Sequence, residues 1–397
     1  MQKKGVRDVD VNGKRVLMRV DFNVPLKSGA VGDDSRIRAS IPTIEYLRER
    51  NARIVLCSHL GRPKGQVRPE LSLQPVAEHL GKLMRTTVSV LPLPPSEKTM
   101  RKTEKMQPGE MTMLENLRFC AAEEANDSQF ARELASLADL YVNDAFGAAH
   151  RAHASTTGVA GYIPAVAGLL MQKELEMLGR LLASTERPFV AVIGGAKVKD
   201  KIGVLKSLLS KVDTLLIGGG MANTMLAASG ANMGDSVVEP DRFQDALEIM
   251  RLAQDAGVEL LLPQDMVVAQ QVSQDSAVQV VKGDVPQGWK ALDIGPRTRS
   301  AFAEKICAAR TLFWNGPLGV FEIDAFSEGT TSVALAVAKS SAMSVVGGGD
   351  SLAAVQKAGV SDKITHLSTG GGASLEFLEG RVLPGVDILM DRQEARR

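Results

Sequence analysis

Short apolar runs alternate with amphipathic stretches along the first part of the chain. The runs at 16–20, 54–57, 111–114 and 140–142 are each bounded by polar or turn residues. Between several of them, apolar residues recur at helical spacing, as at 41–50 and 130–137. Alternating strands and helices predict a parallel sheet covered by helices on both faces.

Six further apolar runs follow residue 188, and each ends in glycine or proline. They are 189–193, 214–217, 259–262, 312–314, 344–346 and 364–367. This pattern predicts a second sheet of the same kind. The expected fold is therefore α/β, with two doubly wound, Rossmann-like parallel-sheet domains and a cleft between them.

The stretch LLMQKELEMLGRLL at 169–182 has helical spacing and predicts the helix that joins the two domains. A chain of 397 residues is too long for one ordinary core, which agrees with two domains. We place the first at 1–170 and the second at 171–384.

Composition excludes several classes of partner. A net charge of +1 and 4% aromatic residues give no reason to expect a nucleic acid or an anionic membrane. The three dispersed cysteines show no metal-ligand spacing or disulfide framework, which suits a reducing compartment. The N-terminal residues lack the apolar segment of a signal peptide, and no apolar run is long enough to span a bilayer. We expect a cytoplasmic protein.

Arginine and histidine follow the first four runs. Ligands of open α/β sheets bind outside the carboxyl ends of the strands, and guanidinium groups match phosphate and carboxylate oxygens. Several arginines at one sheet edge therefore predict a pocket for a small molecule with more than one negative charge. These basic residues are Arg36, His59, Arg62, Arg118, His150, Arg151 and His153.

Each of these residues also has a plainer interpretation. One arginine after a strand is commonly a solvated surface residue, but arginines after three runs favour a site. Asp21 and Asn23 lie close to Pro25 and could shape a turn instead of binding a ligand. His79 lies in a helical pattern and Cys57 in an apolar run, so both are predicted to be structural.

The stretch 189–209 combines a buried strand, a glycine turn and lysines. Gly194 and Gly195 form the turn, and Lys197, Lys199 and Lys201 are expected near the start of the next helix. A helix N-terminus with glycine and lysine favours phosphate. The spacing is neither that of a P-loop nor that of the Rossmann fingerprint. Such a turn can also be an ordinary connection between a strand and a helix.

Triple glycines at 218–220, 347–349 and 370–372 follow three more runs. Such loops let a flat, phosphorylated ligand lie against backbone N–H groups, which predicts a nucleotide-like site. Asp350 could contact Mg²⁺ bound to phosphate, or cap the next helix, or do both. Glu322 could bond a ribose or be a turn carboxylate.

An anion pocket in one domain and a nucleotide-like site in the other suggest group transfer between two ligands. One alternative is a two-domain anion- and nucleotide-binding protein without chemistry. Another is a kinase that uses a different acyl phosphate, such as an acetate or carbamate kinase. Arginines at three strand ends favour a substrate with a further phosphate of its own.

Nine motifs resemble those of phosphoglycerate kinases, and together they span essentially the whole chain. They are RVDFNVP (19–25), SHLGRP (58–63), LENLRF (114–119), NDAFGAAHRAHAS (143–155), GGAKVKDKI (194–202), GGGMANT (218–224), FWNGPLGVFE (313–322), GGGDS (347–351) and STGGGAS (368–374). The resemblance implies reversible phosphoryl transfer between 1,3-bisphosphoglycerate with ADP and 3-phosphoglycerate with MgATP, in glycolysis. It also implies a cytoplasmic monomer whose C-terminal tail, 385–397, packs back on the first domain.

The resemblance implies three sets of site residues. Those for phosphoglycerate are Asp21, Phe22, Asn23, Arg36, His59, Leu60, Gly61, Arg62, Arg118 and Arg151. Those for the nucleotide are Lys201, Gly219, Gly295, Glu322, Gly348, Gly349, Asp350 and Ser351, with Asp350 also at the metal. Those for the moving phosphoryl group are Arg36, Lys197, Lys201, Gly371 and Gly372.

Overall fold

The computed structural model describes residues 3–183 and 186–392. The chain forms two compact units. Unit 1 contains the residues up to Glu176 and those from Val382 onward, and unit 2 is Met177–Arg381. Of the predicted tail, residues 393–397 lie outside the described residues.

Unit 1 contains short strands and helices in alternation. Its strands are β1 (Arg15–Arg19), β2 (Leu26–Lys27), β3 (Ala30–Val31), β4 (Arg53–Cys57), β5 (Ser89–Leu91), β6 (Met111–Leu114), β7 (Leu140–Asn143) and β8 (Ala165–Ala167). Its helices are α1 (Ser35–Arg48), α2 (Gln74–Met84), α3 (Glu97–Glu104), α4 (Ala121–Glu124), α5 (Ser128–Ala135) and α6 (Leu169–Leu182), which runs on into unit 2.

One parallel sheet organises unit 1, in the order β5-β6-β4-β1-β7-β8. The central strand β1 pairs with β4 from Arg15↔Arg53 to Arg19↔Cys57. Strands β6 and β7 are buried along their whole length because helices cover both faces of the sheet. The carboxyl ends of the strands lie at one edge, so the loops after them meet there.

Unit 2 repeats this plan. Its strands are β9 (Phe189–Ile193), β10 (Thr214–Ile217), β11 (Glu259–Leu261), β12 (Met266–Ala269), β13 (Gln279–Val281), β14 (Lys290–Ile294), β15 (Thr311–Asn315), β16 (Met343–Gly347) and β17 (His366–Ser368). Its helices are α7 (Ile202–Leu209), α8 (Gly219–Ala228), α9 (Phe243–Asp255), α10 (Pro296–Ala308), α11 (Glu328–Lys339), α12 (Gly349–Lys357) and α13 (Gly372–Leu378). The short α14 (Pro384–Asp387) belongs to unit 1.

A second parallel sheet, in the order β11-β10-β9-β15-β16-β17, forms the centre of unit 2. A smaller antiparallel sheet, β13-β12-β14, has no counterpart in the sequence-based prediction. Two parallel sheets with interleaved helices confirm the predicted α/β class. Within the described residues, no helix is long and apolar enough to cross a membrane.

Two predicted helix starts are wrong. Helix α1 begins at Ser35, well before the predicted start at residue 41. Helix α7 begins at Ile202, so Lys197, Lys199 and Lys201 precede the helix. Val198 explains the second difference, because its side chain is fully buried and its N–H donates to the Glu239 carboxylate, which holds 197–201 in a separate turn.

Candidate active site

Hydrogen bonds join the loops at the ligand edge of unit 1. Arg36 Nη1 donates to Asp21 Oδ2 at 2.9 Å and to the Asn23 carbonyl at 3.4 Å. The Gly61 N–H donates to Asn23 Oδ1 at 2.9 Å, and Arg118 Nη1 donates to the Gly61 carbonyl at 2.7 Å. Asp21 thus connects its loop to helix α1, and Asn23 connects the same loop to the one after β4, which is more than shaping a local turn.

Asn116 is a buried organiser of these loops that the sequence did not reveal. Its Oδ1 accepts from the Leu60 N–H at 3.1 Å, and its Nδ2 donates to the Leu60 carbonyl at 2.7 Å. Phe22 lies in the core, and its N–H donates to Ser58 Oγ at 2.9 Å. The backbone of the pocket is therefore fixed by side chains beneath it.

The charges of four arginines of unit 1 act on His59. Burial holds the pKa of His59 well below its ordinary value, and the positive charges of Arg19, Arg118, Arg151 and Arg36 lower that pKa further. The imidazole is consequently neutral at physiological pH. Excess positive charge around a buried neutral histidine is what a multiply charged anion requires.

The remaining predicted residues lie in the loops after β4 and β7. Arg62 is exposed in the same loop as His59. Arg151 Nε lies 3.1 Å from His150 Nε2. Burial, followed by the charges of nearby arginines, lowers the pKa of His153 to about 4.

Three buried polar residues behind the pocket escaped the sequence-based prediction. Arg19 is 1% exposed at the end of β1, and its Nε donates to Ser155 Oγ at 2.9 Å. Ser155 Oγ in turn donates to Glu123 Oε1 at 2.6 Å. A charged residue at the end of an apolar run is the signal in the sequence that could have identified Arg19.

Unit 2 contains a cavity of ≈ 300 Å³ above the ends of its strands. Glycines form part of its wall, apolar side chains form much of the rest, and Glu322 and Asp350 also line it. The wall includes Gly195, Gly219, Gly220, Met266, Leu292, Ile294, Leu318 and Val320. A slot of this kind suits a flat aromatic ring with a polar substituent.

A second cavity of ≈ 360 Å³ in unit 2 shares Gly195, Ala196, Pro317 and Asp350 with the first. Its other lining residues include Lys197, Lys201, Gly348, Gly349 and Ser351. Two adjoining cavities, one largely apolar and one with lysine and glycine, match the two ends of a nucleotide.

Lys201 is held in the second cavity by backbone carbonyls. Its Nζ donates to the Gly194 carbonyl at 2.6 Å and to the Asn315 carbonyl at 3.0 Å. Burial lowers the pKa of Lys201 to about 8, although the nearby charges of Asp350 and Asp200 act in the opposite direction. A phosphate beside this ammonium would restore its ordinary preference for the charged form.

Glycine is required where the loops of unit 2 touch. Gly219 has φ +68°, and a Cβ there would lie 2.8 Å from the Gly195 carbonyl oxygen. The other predicted glycines begin helices, since Gly295 is the N-cap of α10 and Gly371 that of α13. Gly372 is the first residue of α13, and no atom lies within 4 Å of the place where its Cβ would be.

Asp350 is not the cap of α12. The N-cap is Gly348 and the helix begins at Gly349, so Asp350 lies in the first turn and its exposed carboxylate lines both cavities. Within the described residues, no group of three or more acidic, histidine or cysteine side chains could hold a metal. One carboxylate beside a phosphate-type loop fits Mg²⁺ held mainly by nucleotide phosphates.

Clustered arginines in one unit and cavities lined by glycine and lysine in the other are typical of the class of small-molecule phosphotransferases. The model of the phosphoglycerate kinase family matches residues 6–381. The phosphoglycerate kinase of Moorella thermoacetica is 58% identical over 99% of this chain and 100% of its own, and that of Pelotomaculum thermopropionicum is 55% identical with the same coverage. The phosphoglycerate kinase structure from Coxiella burnetii matches with a TM-score of 0.87 and 43% identity, covering 97% of this chain and 98% of that one.

The chain therefore belongs to the phosphoglycerate kinase family. It is an enzyme, a phosphotransferase with a carboxyl group as acceptor. The non-catalytic binding protein and the acetate or carbamate kinase considered from the residues find no support.

Proposed function

We propose that unit 1 binds phosphoglycerate and unit 2 binds ADP or ATP, with reversible in-line transfer of the phosphoryl group between them. The donor in the glycolytic direction is 1,3-bisphosphoglycerate, and the products are 3-phosphoglycerate and ATP. The observation that carries this proposal is that the positive charges of Arg36, Arg118 and Arg151 all act on the buried His59 and lower its pKa.

The phosphoglycerate site uses charge and fixed geometry. Arg62, Arg118 and Arg151 supply guanidinium forks for phosphate and carboxylate oxygens. Asp21 and Asn23 hold Arg36 and the Gly61 backbone in place, through the hydrogen bonds at 2.9 Å that each of them accepts. The remaining members are Phe22, His59 and Leu60.

The nucleotide site extends over both cavities of unit 2. The base occupies the largely apolar cavity, where Gly219 gives close access to the backbone and Glu322 bonds the ribose. Gly295 lies at the start of α10, next to the lining residue Ile294. The phosphates occupy the second cavity, against Lys201 and the N-terminal turn of α12, Gly348 to Ser351.

Transfer needs positioning and charge stabilisation and no general base, because the nucleophile is already an oxyanion in either direction. Arg36, Lys197, Lys201 and the N–H groups at Gly371 and Gly372 stabilise the equatorial oxygens of the moving group. Asp350 would hold Mg²⁺, which would neutralise charge on the nucleotide phosphates.

Each unit holds one reactant in this proposal, so the reaction requires the two reactants to come into contact and water to be excluded from the reacting groups. Water that reached the acyl phosphate would hydrolyse it. We further propose that the protein is a cytoplasmic monomer.

A titration of the acid substrate tests the location of the pocket. We expect Arg62→Ala to weaken binding of 3-phosphoglycerate by about 10-fold, as loss of one charged hydrogen-bonding partner does. Arg68→Ala is the matched control, because Arg68 is another exposed arginine in the same loop. Calorimetry that gave equal affinities for wild type, Arg62→Ala and Arg68→Ala would place the acid elsewhere.

A further inference from the structure

We propose that Arg19 is a positioning residue that fixes the tautomer of His59. It donates to Nδ1 of the ring, so that the proton lies on Nε2 and His59 presents one neutral N–H donor to phosphoglycerate. The inference rests on the proposed role of His59 in substrate binding, and it assigns a function to a buried arginine that the transfer step does not use.

The tautomer follows from the chemistry of the two groups. Arg19 Nη2 lies 3.1 Å from His59 Nδ1. A guanidinium group carries only donors, so the ring nitrogen that faces it must be the acceptor. In a neutral imidazole the other nitrogen then carries the hydrogen. A histidine protonated on both nitrogens would set two donors against each other.

The guanidinium plane of Arg19 is held from three sides. Its Nε donates to Ser155 Oγ at 2.9 Å, and its Nη1 donates to the Val20 carbonyl. Ser155 is itself fixed, because its Oγ and its N–H donate to the two oxygens of Glu123 at 2.6 and 3.0 Å. Arg19 is 1% exposed and Glu123 is fully buried, so water does not compete for these groups.

The charges around His59 keep the ring neutral. Arg19 from β1, Arg36 from α1, and Arg118 and Arg151 from the loops after β6 and β7 oppose a positive imidazolium, as burial does. Asp21, whose Oδ1 lies 3.9 Å from Nδ1, is the one opposing charge among these contacts. Four positive groups and burial outweigh one carboxylate.

A fixed neutral donor has a chemical advantage in this site. It bonds a carboxylate or phosphate oxygen without adding a titrating proton beside an acyl phosphate. The hydrogen bond that it donates has the same strength across the physiological pH range, because the ring does not titrate there.

Nitrogen-15 NMR of histidine-labelled wild-type protein tests the tautomer directly, without any risk to folding. The chain has five histidines, and the signal absent from His59→Gln identifies the ring. We expect an Nε2–H tautomer that persists from pH 6 to 8. A proton on Nδ1, or an imidazolium at pH 7, would overturn the inference.

A matched pair of variants tests the role of Arg19. Arg19→Met removes the donor, whereas Arg15→Gln changes an arginine of the same strand that pairs with Asp139. We expect Arg19→Met to raise the titration midpoint of His59 and the KM for 3-phosphoglycerate, the latter by about 10-fold. Arg15→Gln should alter neither.

If Arg19→Met does not fold, Ser155→Ala, which frees the Nε of Arg19, should give the same changes in weaker form. A folded Arg19→Met or Ser155→Ala protein with the wild-type tautomer and KM would refute the assignment.

Two amide substitutions of His59 test which nitrogen serves the substrate. A glutamine amide reaches the position of Nε2, and an asparagine amide reaches that of Nδ1. We expect the KM for 3-phosphoglycerate to be at least about 10-fold higher in His59→Asn than in His59→Gln. The opposite order would overturn the inference.

Addition of substrate tests the binding site and the tautomer of His59 separately. If 3-phosphoglycerate leaves the His59 signals unshifted while the Nε2–H tautomer is present, the proposed binding site fails and the tautomer assignment stands. If the substrate shifts these signals from an Nδ1–H tautomer, the binding site stands and the assignment to Arg19 fails.

Discussion

Substitution of Arg36 would most clearly distinguish a role in substrate binding from a role in catalysis. The guanidinium of Arg36 is half-buried, and Asp21 and Asn23 orient it through hydrogen bonds that they accept from Nη1. We expect Arg36→Ala to lower kcat by at least about 10²-fold, as removal of one transition-state donor does. Steady-state kinetics in both directions measures this.

Arg38→Ala is the control for that experiment. Arg38 lies on the same helix, is largely exposed and pairs with Asp34 at 2.8 Å. Its loss should leave kcat within about twofold of wild type, because an exposed ion pair contributes little to the stability of the folded protein. A normal kcat for Arg36→Ala with a raised KM would assign Arg36 to ground-state binding alone.

Lys201 provides a prediction that depends on pH. Its pKa of about 8 in the free protein should rise beside nucleotide phosphates, because an opposite charge favours the ammonium form. Binding of ATP at pH 8.5 should therefore take up protons, and at pH 6, where Lys201 is already charged, its contribution should vanish.

Calorimetry in buffers of different ionisation enthalpy detects this uptake. Lys201→Arg keeps the positive charge but does not titrate, so the uptake at pH 8.5 should be absent from it. Equal proton uptake in wild type and Lys201→Arg would show that Lys201 does not meet the phosphates.

Residues at strand ends could be predicted from the sequence, but the partners of the buried organisers could not. Arg118 and Arg151 follow apolar runs, so topology alone brings them to one edge. Arg19 and Asn116 act through partners that are distant in sequence, such as Ser155, 136 positions beyond Arg19. No local pattern encodes such a pairing.

At the scale of elements, helix α6 depends on a buried carboxylate. Asp144, at the end of β7, accepts from the N–H groups of Leu170 and Met171 at 3.0 and 3.3 Å. Gly168 permits this approach, since a Cβ there would lie 2.1 Å from Asp144 Oδ1. A side chain at the carboxyl end of β7 thus caps the helix that leads into unit 2.

We expect Asp144→Ala to lower the free energy of unfolding by about 1–2 kcal/mol relative to Asp144→Asn, which keeps the accepting oxygen. Burial raises the pKa of Asp144 from 3.8 to about 7. The folded protein then keeps a proton that the unfolded chain releases between these values, so wild-type stability falls as pH rises through that window.

Asp144→Asn lacks this proton. Its free energy of unfolding should therefore increase relative to wild type as the pH rises from about 4 to about 7, in urea titrations. A difference that stays constant over that range would contradict the buried, proton-holding cap.

Long, uniformly apolar strands could be predicted from the sequence because parallel strands covered on both faces leave a distinct signal. Strands β5 and β8 were missed, although the equally short β11 and β17 were predicted because glycine or proline follows their apolar runs. The antiparallel sheet β13-β12-β14 was also missed. The prediction started α1 near Pro42, whose ring favours a first turn, but the helix continues through this proline from Ser35.

At the scale of the whole molecule, the chain leaves unit 1 along α6 and returns to it at Val382. The returning segment is anchored by the Gly385 N–H, which donates to the Ala149 carbonyl at 2.8 Å, and by Asn143 Nδ2, which donates to the Gly385 carbonyl at 2.9 Å. Leu383, Val386 and Leu389 are buried. Both connections are therefore anchored beside the loop that follows β7.

We expect Leu389→Ala to destabilise the protein by about 2–4 kcal/mol, because it removes a buried side chain and leaves a cavity. Val382→Ala is the control, since Val382 is 62% exposed and its truncation should cost under about 0.5 kcal/mol. Equal denaturation midpoints for the two variants would show that the returning segment contributes little.

In our proposal, an arginine pocket in unit 1 and glycine-lined cavities in unit 2 each hold one reactant. A crystal structure with 3-phosphoglycerate and a magnesium complex of a non-hydrolysable ATP analogue tests it most directly. We predict the acid in contact with Arg36, Arg118 and Arg151, and the nucleotide phosphates against Lys201 and the first turn of α12. Density for the acid away from those arginines, or for the nucleotide outside the two cavities, would contradict the account.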